Sequence, residues 1–310
     1  MSYYFGKVQQ VITNFWNQRL EHAESQNVPT SIHCMYKFKA SQFDCKIIEC
    51  ADDSIIKYPL LRNDNGVKSM WCVSPIHGRS FVVKQRHETD WVISKGNGLS
   101  YSTKTFLVSD INDPYVWGKL PIDAAVRDYE IGEEIRNLGI KTNRMECVLE
   151  LDKQLEIQKM KFHAALLQYS VECPYRICDI AFAPRTSIEI AIKSWNSPHS
   201  HPCRYLDAAE ILIHNLQILH SNSIMHNSMH TQNYTWALEL LDFEASRTNT
   251  HPYESPEYEK HVPELIKAEM IQTYEIINYI AWCLGEPIDY SAIDSIFLEY
   301  GFHIGVSSIL

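Results

Sequence analysis

No stretch of the chain has the length or even apolarity of a membrane-crossing helix, and its first residues lack the basic start and apolar core of a secretory leader. Neither a membrane protein nor a secreted one is expected, and the cytoplasm is the expected compartment. Positive charge is also short: 28 basic against 38 acidic residues leave a net charge of −10. That balance argues against a general binder of nucleic acid or anionic membrane, because such partners are held by a surplus of Lys and Arg. It does not argue against nucleotide binding, since a few local donors and a cation suffice to hold phosphates. The nine cysteines form no Cys-x-x-Cys pair, and an odd, scattered set reads as free buried thiols in a reducing compartment. Internal repeats and low-complexity tracts are missing too.

What is present is an ordinary globular composition, 45% hydrophobic and 21% charged over 310 residues, enough for one large domain or two lobes. Residues 8 to 22 place Val8, Val11, Ile12, Phe15, Trp16 and Leu20 on one helical stripe. Residues 30 to 94 switch to short strand-like runs such as Cys45–Cys50, Met70–Val73, Phe81–Lys84 and Trp91–Ser94, parted by polar turns. A helix follows Pro121, with Ile122, Ala125, Val126, Tyr129, Ile135 and Leu138 facing inward and Gly139 as its stop. Strand character returns at Met145–Leu151 and Thr186–Ile192, with a helix expected across Asp152–Ser170 between them. After the turn-rich Ser194–Pro202 the chain reads as helical to the end, beginning with a helix over Leu206–His220. The expected division is therefore an N-terminal helical extension (1–28), a sheet-rich region with one helix (29–193) and a helical region (194–310). Strands plus one helix, then helices, is the element order of an α+β, kinase-like two-lobed fold.

Two short segments carry the chemistry. The helix ending at His220 leads into Ile224-Met225-His226-Asn227-Ser228-Met229-His230-Thr231-Gln232-Asn233, and then Leu240-Leu241-Asp242-Phe243-Glu244 follows. An amide at Asn233 and a carboxylate at Asp242 are hard oxygen ligands that a short turn can bring onto one magnesium ion carrying nucleotide phosphates. From His226 to Asn233 the segment keeps the frame His-x-Asp-x-x-x-x-Asn of the protein-kinase catalytic loop, and Asp242-Phe243-Glu244 falls where Asp-Phe-Gly would. Ser228 stands in the slot of the aspartate that accepts the substrate proton, and serine has no basicity near neutral pH. Upstream, Lys95-Gly96-Asn97-Gly98 follows a strand-like run. Such a lysine either neutralises phosphate charge while the glycines let backbone N–H groups approach, or is the solvated side chain of a surface hairpin.

Together with Trp91-Val92-Ile93-Ser94-Lys95-Gly96-Asn97-Gly98 and with Val126-Arg127-Asp128-Tyr129-Glu130 through Leu138-Gly139-Ile140, the loop resembles the selenoprotein O family of protein adenylyltransferases. That family also lacks the kinase aspartate. The three patches occur in the family's order and span about residues 78 to 245. The resemblance implies a kinase-like fold and AMP transfer from ATP. It implies Mg2+ on Asn233 and Asp242, and nucleotide contacts from Lys95, Gly96 and Gly98. It also implies a carboxylate partner for Lys95 at Asp128, with Glu133 as the longer-reaching substitute. Three departures are plain. The family's proposed base is Gln232 here, which takes up no proton at ordinary pH and is left to orient the acceptor. Asp128 stands for a glutamate. The family's phosphate-contacting arginines have only Arg185 as a substitute.

His226 reads as a structural ring that holds the loop, and His230 as either a local base or an exposed loop residue. The run His199, His201, Cys203 lacks the second ligand cluster of a zinc site. The functional expectation is an ATP-dependent nucleotidyltransferase acting on a hydroxyl of a protein or small-molecule acceptor. The alternatives are a kinase-type phosphotransferase, which Ser228 disfavours, and a nucleotide-binding pseudokinase, which the lack of a carboxylate base favours.

Overall fold

The computed structural model of the chain describes residues 36–42, 45–50, 60–62, 68–72, 80–96, 119–151, 155–157, 160–180, 183–195, 203–252 and 256–302. The expected extension 1–28, along with Gly98, His199 and His201, lies outside the described residues. The architecture is α+β, an antiparallel sheet joined to helices.

Eleven strands are found among the described residues: β1 Tyr36–Gln42, β2 Cys45–Cys50, β3 Leu60–Arg62, β4 Lys68–Cys72, β5 Ser80–His87, β6 Asp90–Lys95, β7 Leu120–Pro121, β8 Arg144–Leu151, β9 Leu155–Ile157, β10 Met160–Phe162 and β11 Ala164–Val171. The large sheet runs β2-β8-β11-β6-β5-β4-β1-β3, with β7 added against β11, while β9 and β10 form a separate hairpin. Every residue of β11 is buried. It lies between β8 and β6 and pairs Leu167 with Lys95, so the lysine ends a central strand where its backbone cannot drift.

The helix expected across Asp152–Ser170 is not there: the segment holds β9, β10 and most of β11. A strand buried on both faces carries no alternation of apolar and polar residues, so its periodicity does not separate it from a buried helix. The converse error falls at Thr186–Ile192. Ile188, Ile190 and Ile192 alternate like a strand, yet Arg185–Lys193 is a helix whose buried positions are Ile188 and Ala191, three apart. Packing on the core overrides β-branched propensity there.

Six helices are described: α1 Ile122–Asn137, α2 Arg185–Lys193, α3 Arg204–Ser221, α4 Pro256–Lys260, α5 Val262–Leu284 and α6 Tyr290–Glu299. α1 starts directly after Pro121, carries Asp123 in its first turn and Arg136 in its last, and stops at Gly139 with φ of 86°. Those charges suit the helix dipole, and glycine takes the left-handed stop without steric penalty. Its buried stripe is Ala125, Asp128, Ile131, Gly132 and Ile135, one carboxylate among apolar neighbours. α1 packs on β8 and β11, and α3 packs on α5 and α6. No helix among the described residues is long and apolar enough to cross a membrane.

Between α3 and α4 the described chain, 222–252, is irregular rather than helical. Isolated bridges hold it in place: Met225 with Arg247, Tyr234 with Leu240, Thr235 with Arg176, and Leu240 with Thr142. Trp236, Leu238, Leu240 and Phe243 are buried, so this loop belongs to the core rather than lying over it.

Candidate functional site

Three separate parts of the chain meet at Lys95. Its ammonium is 2.6 Å from Asp128 Oδ2, makes a close ion pair with Asp242 Oδ1 and lies 3.6 Å from Glu244 Oε2. The lysine and Asp128 are almost wholly buried, whereas about a sixth of each of the Asp242 and Glu244 side chains stays open to solvent. The oxygens of Asp128, Asp242 and Glu244 lie within 4.8 Å of one another. Three carboxylates on one ammonium leave the cluster acidic. Burial pushes the Asp128 carboxyl above the ordinary carboxylate range; Lys95 pulls it back, and Asp242 and Glu244 add to the rise.

The second oxygen of Asp128 accepts the backbone N–H of Phe243 at 2.9 Å. α1 therefore grips Lys95 and the Asp242 motif through one carboxylate. Phe243 packs so close to α1 that a Cβ on Gly132 would stand 3.1 Å from its ring and 2.3 Å from Met145 Cε. Asp242 itself has φ of 72°. A left-handed backbone is uncommon outside glycine, though Asp and Asn adopt it more readily than bulkier residues, and it turns the carboxylate toward Lys95. Beyond the motif the chain is strapped to the same helix. Arg127 donates to the Ser246 and His251 carbonyls, Thr248 Oγ1 donates to Glu134 at 2.9 Å, and His251 Nε2 meets Glu130 at 2.7 Å.

The loop from His226 to Asn233 is clamped from below. The buried His226 ring donates from Nε2 to the Leu241 carbonyl at 2.9 Å and stands edge-on to Phe243; burial lowers its pKa, so it serves as a neutral fastener. Glu269, on the buried face of α5, accepts the Asn227 backbone N–H at 2.6 Å and meets His220 Nε2 at 2.7 Å. Gln272 accepts the Met229 N–H at 3.1 Å. Asn233 is buried; its Nδ2 donates to the Ser228 carbonyl at 2.9 Å, and its Oδ1 accepts from Arg176 at 3.4 Å. The same guanidinium donates to the Gln232 carbonyl at 2.5 Å, while Gln232 is exposed.

The expected residues thus sort unevenly. Lys95, Asp128 and Asp242 are brought together, and Glu133 is not part of the cluster, facing Arg136 at 3.6 Å. Asn233 and Gln232 sit on the neighbouring loop beside Arg176. Gly96 has φ of 97°, and a Cβ there would lie 2.8 Å from both the Ala165 carbonyl oxygen and Leu120 Cβ, so its smallness serves strand packing. Arg185 is not among the residues brought to Lys95. Its side chain is 92% exposed and paired with Glu189 at 3.0 Å on the surface of α2, and it lines a cleft with Ile188, Arg204 and Leu284 that contains none of the other site residues. Arg185 opens a helix at the point where a strand was expected to start, at Thr186.

Three contributors were not picked out from sequence. Glu244 was visible as a second acid beside Asp242. Glu269 is the lone acid on the buried, largely apolar face of α5, which is a signal in itself because unpaired acids are rarely buried. Arg176 gives no local sign, since it reaches the loop only across the fold, through the bridge to Thr235 and its guanidinium contacts with Gln232 and Asn233. No protein-family model matches the chain, and no curated protein matches it either.

Proposed function

We propose that the protein is an ATP-dependent nucleotidyltransferase that moves AMP onto a hydroxyl of a protein or small-molecule acceptor, from a kinase-like, two-lobed fold related to the selenoprotein O family. The observation that carries this reading is the convergence of Lys95 from the sheet, Asp128 from α1 and Asp242 from the loop after α3. A lysine held by a helix carboxylate beside a second, partly open carboxylate is suited to phosphate charge and to a cation that accompanies it. The order of sheet, helix and helical body supports the kinase-like element of the proposal.

The residues fit magnesium chemically: hard carboxylate oxygens, close together and short of positive charge. Asp242 and Glu244 would hold the ion, with Asn233 on the adjoining loop. Bound there, it would neutralise charge on the phosphate oxygens. Lys95 would turn from Asp242 toward a phosphate while keeping Asp128. Gln232, exposed at the loop surface, would orient the acceptor. Transfer with a loose transition state depends on positioning and charge neutralisation, so a strong base is dispensable.

The test is incubation of the purified protein with magnesium and ATP labelled separately at the α and γ positions. Transfer of α label alone is the expected result; transfer of γ label alone assigns a phosphotransferase. A second reading, nucleotide binding without chemistry, is favoured by one observation: neither Ser228 nor Gln232 offers a carboxylate base. Saturable ATP binding with no label transferred from either position would establish it.

A further inference from the structure

The loop holds a hydroxyl and an imidazole in direct contact. Ser228 Oγ lies 2.8 Å from His230 Nε2, a spacing at which an imidazole can take a hydroxyl proton. A serine that merely stabilised a turn would bond to a backbone group close by; this one bonds a side chain with proton affinity. Its position is set by neighbours on both sides. The Asn227 N–H is held by Glu269 at 2.6 Å and the Met229 N–H by Gln272 at 3.1 Å. Its own carbonyl accepts from Asn233 Nδ2 at 2.9 Å, which ties the residue directly to the amide proposed to face the nucleotide site. Ser228 and His230 are both half-buried, so the pair is reachable. Among the described residues His230 Nδ1 has no hydrogen-bond partner, so within them the pair is a dyad with no third group orienting it.

We propose that Ser228 is itself an acceptor, taking AMP from ATP to become an adenylylated serine. This rests on the nucleotidyltransferase reading of the site. The Ser228 Oγ–Pα bond forms as the bond from Pα to the bridging oxygen breaks. Pyrophosphate leaves with that electron pair, and the hydroxyl proton passes to His230 Nε2. The modification would place a bulky anion on the loop that positions Asn233, so its occupancy would limit further turnover at the site.

The experiment is incubation of the full chain with magnesium and α-labelled ATP, followed by digestion and mass mapping, alongside calorimetry of ATP binding. AMP on the peptide at Ser228 is expected. The adduct should be lost in Ser228→Ala, retained in Ser228→Thr, and formed about a hundredfold more slowly in His230→Gln, the usual scale for loss of a positioned proton acceptor. Undiminished labelling in Ser228→Ala, γ label at Ser228, or no adduct in a protein that binds ATP and transfers AMP elsewhere would overturn the proposal and leave the site reading standing. Absence of magnesium-dependent ATP binding would bring down both.

Discussion

Asp128 and Phe243 stand 115 residues apart and share a hydrogen bond of 2.9 Å, from the Phe243 backbone N–H to the same carboxylate that holds Lys95. The Asp242-Phe243-Glu244 segment and the lysine are therefore positioned by one side chain on one helix. Any displacement of α1 moves both together, which makes Asp128 the residue on which the geometry of the site turns.

The first prediction concerns that pair. Lys95→Met leaves the Asp128 carboxylate buried without its cation, and breaking a buried ion pair from one side costs about 3–5 kcal/mol. Asp128→Asn added to Lys95→Met should recover part of the loss, because the amide keeps an oxygen for the Phe243 N–H. Urea denaturation of the two single variants and the double variant measures the coupling. Additive losses would show that the pair contributes nothing of its own.

Metal dependence separates the acids. Asp242→Ala should weaken magnesium-dependent ATP binding most, and Glu244→Gln by about tenfold, a change of about 1.4 kcal/mol. Calorimetry with and without magnesium reads this directly. Full affinity in a folded Asp242→Ala protein would remove Asp242 from the site, and full affinity in Glu244→Gln would remove Glu244.

Two glycines should differ in their response to alanine. At Gly132 the nearest obstacle is the flexible end of Met145, with the Phe243 ring behind it, so Gly132→Ala should destabilise by about 1–3 kcal/mol as the core is overpacked. At Gly96 the obstacles are a backbone oxygen and a Cβ, and φ is 97°. Gly96→Ala should therefore be the more damaging of the two. Equal midpoints in denaturant for both variants would contradict this.

A buried acid away from the cluster gives a pH signature. Glu239 accepts from the Glu172 N–H and the Thr235 hydroxyl, both at 2.8 Å, and burial pushes its pKa from 4.5 up to about 7. The folded state then holds a proton that the unfolded chain has released, so this group's contribution to stability falls as pH rises from 4.5 to about 7. Glu239→Gln should flatten that slope relative to wild type. An unchanged difference between pH 5 and pH 7 would mean that the carboxyl titrates normally.

Much of the site was legible along the chain. Lys95 before Gly96, Asp128 after Pro121 and Asp242 after two leucines each carried local signals: a strand end, a capped amphipathic helix, and an acid behind an apolar lead-in. The helix over 122–137 and its stop at Gly139 were equally readable, because capping and glycine conformation act over a few residues. Less was legible where burial is decided by distant neighbours. The central strand β11 read as a helix, and α2 read as a strand.

By itself, the order of residues determined the local chemistry: which groups could bear charge, which helix would form around Asp128, and which turn would follow α3. Only the tertiary structure decided who met whom. It left Glu133, the alternative the sequence kept open, facing Arg136 and put Asp128 on Lys95, because the inward stripe of α1 runs through position 128. It added Glu244 to the cluster, brought Arg176 to Asn233 and sent Arg185 into solvent. Those outcomes depend on how sheet and helices pack. Packing selects among side chains by where their backbones are held, a property that spacing along one chain does not encode.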